Sequence, residues 1–373
     1  MGADSALLRK LVQSMPDPLA RMATDGQYEV QIAYTQVDRD GSNQPHFITH
    51  QLGVNSEQYF YPASTVKFPV ALFALEKLAA ASVSGLDRSS AMISGDNSDS
   101  VEGHVRKVFL VSDNEAYNQL YNYVGIDRIQ SQLMLKGSRE ARIVHRLAIK
   151  REPRLGYVSN PVRFESSDGA LLLRQPKKVS ESTYRHGLPA KKGIGYFENG
   201  SLIRDTKNFS RNNSFPILEQ QALLQQLIFP DIVPIKQRFA LSANDRAFVL
   251  QAMSDFPREE KLFTEYRKYD DNYVKPLIGW HPEPIRDSLR CYNKSGEAYG
   301  FLIDNAYVVN LEQQVEFFLA VIVHVNANRI YNDDDYEYDL LGYPFLGALG
   351  QVIHEFETKR DRPRRPDFST LGR

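Results

Sequence analysis

Apolar residues along this chain recur first at helical spacing, then at strand spacing, then at helical spacing again, and finally return to strands. Leu7, Leu8, Leu11, Val12 and Met15 predict an amphipathic helix near the start. The alternation from Tyr28 to Tyr34, the turn-rich Asp38–Asn43 and the run His46–Leu52 predict a β-hairpin. From Ser64 to Leu78 the pattern is helical and almost wholly apolar. Val101–Leu135 reads as two or three short helices punctuated by Gly125 and Gly137. Residues 138–216 are polar and rich in Gly, Pro, Lys and Asn, which predicts a long irregular segment. Helices resume over Ile217–Phe229 and Asn244–Met253, the second capped by Ser242. Strands return at Leu289–Asn293, Tyr299–Asn310 and Val315–Asn326, and the nearly all-apolar Phe317–Val323 suits a central strand covered on both faces. A terminal helix carries Phe345, Leu346, Leu349, Val352, Ile353 and Phe356 on one side. There is no internal repeat.

Strands at both ends of the chain with a helical middle imply one sheet built from the two termini, with helices inserted between. The expected division is an α/β lobe of residues 1–62 and 276–373 and a helical lobe of residues 63–275, forming a single domain of two lobes.

Composition narrows the function without naming it. The 373 residues are 42 % hydrophobic and 24 % charged with a formal net charge of −1, enough for a sizeable core. Near-neutral charge without a basic, aromatic-interleaved stripe gives no case for nucleic acid. No apolar run approaches the ~18 residues of a membrane span. The single cysteine, Cys291, excludes an intrachain disulfide and leaves the compartment open. Met1-Gly2-Ala3-Asp4-Ser5 carries no export signal and, taken literally, reads as cytoplasmic. The histidines show no metal-ligand spacing, and Gly193-Ile194-Gly195 lacks the rest of a dinucleotide fingerprint, so neither metal nor cofactor is expected.

Three short strings carry the chemistry: Ser64-Thr65-Val66-Lys67, Ser112-Asp113-Asn114 and Lys294-Ser295-Gly296. An S-x-x-K arises about once by chance in a chain this long, but all three strings in this order arise in on the order of 1 % of such chains. A hydroxyl is a poor nucleophile at neutral pH and needs a base within reach. Ser64 and Lys67, three apart on a helix, share a face, and the helix N-terminus favours negative charge developing there. The apolar flanks Phe68, Val70, Leu72 and Phe73 predict a desolvated Lys67, whose neutral amine can accept a proton. Pro69 is expected to remove a backbone donor and bend the first turn. Ser112-Asp113-Asn114 falls where one helical pattern gives way to another, a place where the same residues also serve as helix caps. Lys294-Ser295-Gly296 opens a strand: its lysine and hydroxyl suit a carboxylate and Gly296 admits a close backbone, although such a string also makes an ordinary turn.

The set resembles the S-x-x-K, S-D-N and K-T/S-G motifs of class A β-lactamases and penicillin-binding proteins, and S-x-x-K-F-P looks like the nucleophile helix of some class A enzymes. The resemblance covers most of the chain apart from residues 138–216. It implies an α+β, β-lactamase/transpeptidase-like fold: an antiparallel sheet flanked by terminal helices plus an inserted helical lobe, with the site between lobes. It implies Ser64 as nucleophile, Lys67 as its base and Ser112 as carrier of the proton toward the leaving group. Asn114 would contact substrate and Lys67, Asp113 would be structural, and Lys294 with Ser295 would hold a substrate carboxylate beside Gly296. Glu297 would lend only its backbone N–H to an oxyanion hole. Class A enzymes place the deacylating carboxylate in E-x-x-L-N; here Glu152-Pro153-Arg154-Leu155-Gly156 offers Glu152, with glycine in place of the asparagine. Glu140, Glu165 and Glu198 are secondary candidates. The expectation is a serine hydrolase acting on a small-molecule β-lactam or related amide. The alternatives are a D-Ala-D-Ala carboxypeptidase or transpeptidase acting on peptidoglycan peptides, and a binding module without turnover. By resemblance its place is the periplasm or cell envelope.

Overall fold

The computed structural model describes residues 5–149 and 155–371. Five antiparallel strands form the main sheet: β1 (Gln31–Arg39), β2 (Pro45–Leu52), β3 (Leu289–Ala298), β4 (Phe301–Asn310) and β5 (Val315–His324). Their spatial order is β3-β4-β5-β1-β2, so the N-terminal hairpin joins the C-terminal strands where Gln31 lies opposite Ile322 and Gln36 opposite Phe317. The helices follow the chain as α1 (Ala6–Gln13), α2 (Asp17–Met22), α3 (Lys67–Ala80), α4 (Val101–Leu110), α5 (Asn114–Val124), α6 (Ile126–Leu135), α7 (Ile217–Ile228), α8 (Ala243–Ser254) and α9 (Tyr343–Lys359).

The strand period decides which core each side chain enters. Along β5, Phe317, Leu319, Val321 and Val323 join the core under α1 and α9, while Phe318, Ala320 and Ile322 join the larger core shared with α3 and α7. That explains the unbroken apolar run: both faces are covered. Close approach limits one position on the cover. A Cβ on Gly350 of α9 would overlap the carbonyl oxygen of Leu277. Gly350→Ala is therefore expected to destabilise the fold by about 1–3 kcal/mol through overpacking. Urea denaturation checks this, and an unchanged midpoint would contradict it.

Three local expectations change. The first strand starts at Gln31 rather than Tyr28. Residues Gly26–Tyr28 form a 3-10 turn capped by Asp25, and Glu29 takes a left-handed φ of 45° that redirects the chain. The Ser64 helix begins as a 3-10 turn over Ala63–Val66 and becomes α at Lys67, so Pro69 stands in the first α turn, where proline is tolerated. Within residues 138–216 the chain makes short strands. Val162–Glu165 and Leu171–Gln175 extend the hairpin Ala91–Ser94 and Asn97–Ser100 into a four-stranded sheet. Gly195–Glu198 pairs with Ser201–Ile203 and, in parallel, with Ile330–Tyr331. Runs of two to five residues are too short to display an alternation against a polar background.

Candidate active site

The cleft is built where α3, the α4–α5 junction and the edge strand β3 meet. Ala63, buried with φ 47°, turns the chain so that Ser64 sits half-buried at the head of the helix. Lys67 follows one turn later with its side chain wholly buried among the apolar residues of α3. Strand β3 presses against this turn at Gly296, where an added Cβ would stand 2.7 Å from the Ser64 backbone nitrogen and 3.0 Å from Thr65 N and Pro62 O. Only glycine lets strand and turn approach this closely.

Lys67 donates to the backbone carbonyl of Ser112, to Ser112 Oγ at 3.3 Å and to Asn114 Oδ1 at 2.8 Å. Burial pulls its pKa well below the ordinary lysine value; the nearby Lys294 cation lowers it further, and Asp113 works in the opposite direction. Ser112 has a left-handed φ of 56°, a strained conformation for a residue other than glycine. Asp113 holds that turn by capping α5 through Ala116 N at 2.7 Å. The Ser112 hydroxyl also accepts from Lys294 Nζ at 2.8 Å, and Lys294 donates in addition to the Ser295 carbonyl at 2.8 Å. Lys294 is buried, and burial brings its pKa down to about 7, with Asp304 resisting and Lys275 assisting. Thus Lys67, Ser112, Asn114 and Lys294 form one hydrogen-bonded set, and Gly296 touches the Ser64 turn.

The remaining predicted residues are placed differently. Lys294 lies within β3 rather than at its opening, and the neighbouring Ser295 Oγ donates to Val274 O at 3.1 Å. The Glu297 side chain accepts from the Tyr343 hydroxyl at 2.6 Å. Burial raises the Glu297 pKa, with the Tyr343 bond opposing and Asp339 assisting. Glu152 lies outside the described residues. Glu165 pairs with Arg163 at 2.7 Å, and Glu140 and Glu198 are exposed. Among the described residues no carboxylate hydrogen-bonds to Ser64, Lys67, Ser112 or Lys294. At Gly156, the position of the missing asparagine, any side chain would collide with the Val144 carbonyl.

A buried group behind β3 went unrecognised in the sequence. Lys275 Nζ donates to the carbonyls of Met253 (2.6 Å) and Cys291 (2.9 Å) and to Asn293 Oδ1 (3.2 Å), tying α8 to the strand that carries Lys294. Asn293 Nδ2 donates to Val274 O and Asp304 Oδ1, each at 2.8 Å. Burial lifts Asp304 to about 6 against the pull of Asn293, Lys275 and Lys294. The available signal was Asp304 itself, a lone carboxylate inside the apolar strand Phe301–Val309.

In chemical terms, a half-buried serine at a helix head is followed one turn later by a buried amine whose pKa burial lowers, and that amine is linked through the Ser112 hydroxyl to a second buried amine, Lys294. Such a set suits acyl transfer to serine. Residues 19–175 match the model of the β-lactamase enzyme family. No curated protein matches the chain in sequence. Among solved structures, a β-lactamase from Xanthomonas campestris pv. campestris shares 14 % identity, with 93 % of this chain and 98 % of that one covered, at a TM-score of 0.51. A β-lactamase from Desulfarculus baarsii shares 16 % identity, with 95 % and 98 % covered, at a TM-score of 0.50. These likenesses establish the α+β, β-lactamase-like fold. The family match spans the first part of the chain, including Ser64–Lys67 and Ser112–Asn114, and the chain is similar there to the β-lactamase enzyme family.

Proposed function

We propose that the protein is of class A β-lactamase type and opens a β-lactam or related amide through an acyl-enzyme on Ser64. Lys67 takes the hydroxyl proton and Ser112 delivers it to the leaving nitrogen. The Ser64 and Glu297 backbone N–H groups face the developing oxyanion, and Lys294 receives the substrate carboxylate beside Asn114, joined by Ser295 once its hydroxyl exchanges the Val274 carbonyl for substrate. The observation that carries this reading is the Ser112 hydroxyl standing between two buried amines, 3.3 Å from Lys67 and 2.8 Å from Lys294. Intact-mass spectrometry after incubation with a penicillin is expected to show one covalent equivalent. A protein that stays unmodified at saturating penicillin would overturn the proposal. The periplasm or cell envelope is the compartment that accompanies this activity; among the described residues no helix is long and apolar enough to cross a membrane.

One observation favours peptidase or transpeptidase action on peptidoglycan peptides as the second reading. Gly156 has no room for the amide that would help Glu152 hold a deacylating water, so the acyl-enzyme should be long-lived. Many turnovers of a chromogenic cephalosporin support the lactamase, release of D-alanine supports the peptidase, and a lasting stoichiometric adduct supports a binding module.

The two amines also set a pH profile. Proton acceptance by Lys67 requires its neutral form, so kcat/KM falls as pH drops through its lowered pKa. Carboxylate binding requires charged Lys294, so kcat/KM falls again as pH rises past about 7. The alkaline limb is expected to vanish for a substrate whose carboxylate is esterified; a limb identical for acid and ester would remove Lys294 from substrate binding.

A further inference from the structure

Between α8 and β3 the chain lays out a row of aromatic rings that neither the core nor the proposed chemistry uses. Phe263, Tyr266, Tyr269 and Tyr273 follow one another with centroid steps of 6.0, 6.4 and 4.3 Å, the last pair stacked at 28°. At one end Lys107 lies over the Phe263 ring at 4.4 Å, and the carbonyl of the same lysine receives the backbone N–H of Asp113. Tyr266 is an electrostatic neighbour of both Asp113 and Lys107. At the other end Tyr273 neighbours Glu297, and the next residue, Val274, holds Ser295 and Asn293 through its carbonyl. The row therefore runs along the cleft from the Ser112 turn to the Lys294 strand.

Its surface is partly open. Phe263, Tyr266 and Tyr269 are half-buried and Tyr273 is 46 % exposed. The three tyrosine hydroxyls make no hydrogen bond among the described residues. The exposed Glu265 and Asp270, interleaved with the rings, form no ion pair among them either, while Arg267 donates to Glu260 O and Lys268 lies over the Tyr269 ring at 5.3 Å. Exposed aromatic faces beside a cleft are costly in water unless something covers them. Tyrosine offers an apolar face and a polar edge at once. Charges of both signs between such rings discourage an acyl chain, and the carboxylates accept hydrogen bonds from vicinal hydroxyls. The apolar C–H face of a pyranose stacks on an aromatic ring while its hydroxyls reach out sideways. A single bicyclic lactam would cover one ring of the row, whereas successive sugar rings would cover several.

We propose that this row is a glycan subsite, binding a pyranose oligosaccharide joined to the amide that Ser64 attacks. Binding by the row rests on its own geometry, while its use in catalysis rests on the proposed acylation of Ser64.

The test combines three proteins and two probes. Wild type, Tyr269→Ala/Tyr273→Ala and the single Tyr273→Ala are titrated with a β-1,4-linked N-acetylglucosamine tetramer, with binding read by tyrosine-resolved NMR shifts. Each is also acylated with penicillin and followed by intact mass. The tetramer is expected to bind wild type, to weaken at least tenfold in the double variant and to weaken measurably in the single one, with penicillin acylation unchanged in both. Equal tetramer binding in all three proteins, or none to wild type, overturns the subsite even when acylation is normal. Absence of a penicillin adduct on wild type instead overturns the acylation reading, and the tetramer result still decides the subsite. Should the double variant fold poorly, Tyr273→Ala, which alters the most exposed ring, carries the same comparison.

Discussion

Ser64→Ala is expected to abolish the penicillin adduct and to lower any hydrolysis by about 10⁴–10⁶-fold, the range seen when a serine nucleophile is removed from its partners. The reason is local. Ser64 is half-buried at the head of a helix whose next turn brings a buried amine, and Gly296 closes the other side against the Ser64 backbone nitrogen. Alanine keeps the turn and the close contact, because Cβ is already present, so folding should survive and noncovalent penicillin binding should persist. Mass spectrometry and a chromogenic assay on the same preparation check both halves. Wild-type hydrolysis by this variant would refute the mechanism at its first step.

Lys67→Ala is expected to slow acylation by about 10²–10⁴-fold, the contribution of a well-placed general base. A second substitution separates proton transfer from simple bridging. Lys67→Arg retains a cation able to donate toward the Ser112 carbonyl and Asn114, but a guanidinium does not give up its proton in a protein. If Lys67 accepts the Ser64 proton, arginine rescues nothing; if Lys67 only bridges two loops, arginine restores much of the rate. Measuring single-turnover acylation in both variants, with thermal melts to verify folding, decides between these roles. Removing the amine also leaves the Ser112 carbonyl and Asn114 without their donor, so the alanine variant should melt earlier than wild type.

The fold class and much of its plan were legible because they rest on long periodic runs. The apolar stretch Phe317–Val323 announced a doubly covered strand, and β5 is that strand. The placing of Ser64 and Lys67 at one helix head was legible because it is confined to a single turn, and the break at Ser112-Asp113-Asn114 because it interrupts a pattern. Lys275, Asn293 and Asp304 were not, since they come from a loop and two strands and meet only when β3 and β4 pair. The short strands after residue 138 were hidden for a related reason: each is held by distant partners, such as Ile330–Tyr331, rather than by its own composition. Ser295 shows the limit of reading a motif as a unit, because its hydroxyl bonds sideways to Val274, where the motif alone suggested a free group awaiting substrate.

The pairing of Gln31 with Ile322 bears on how the chain is made. At about 5–20 residues added per second, a ribosome takes on the order of 15–60 s to produce the partner strand after the hairpin has emerged. For that interval β1 has one bare edge, and the helix carrying Ser64 and Lys67 has no β3 against which to close its cleft. Assembly of the reactive centre must therefore follow synthesis of nearly the entire polypeptide. Shortening the chain to end before β5 should yield insoluble material in place of a smaller active enzyme, because the hairpin would be left as an adhesive edge.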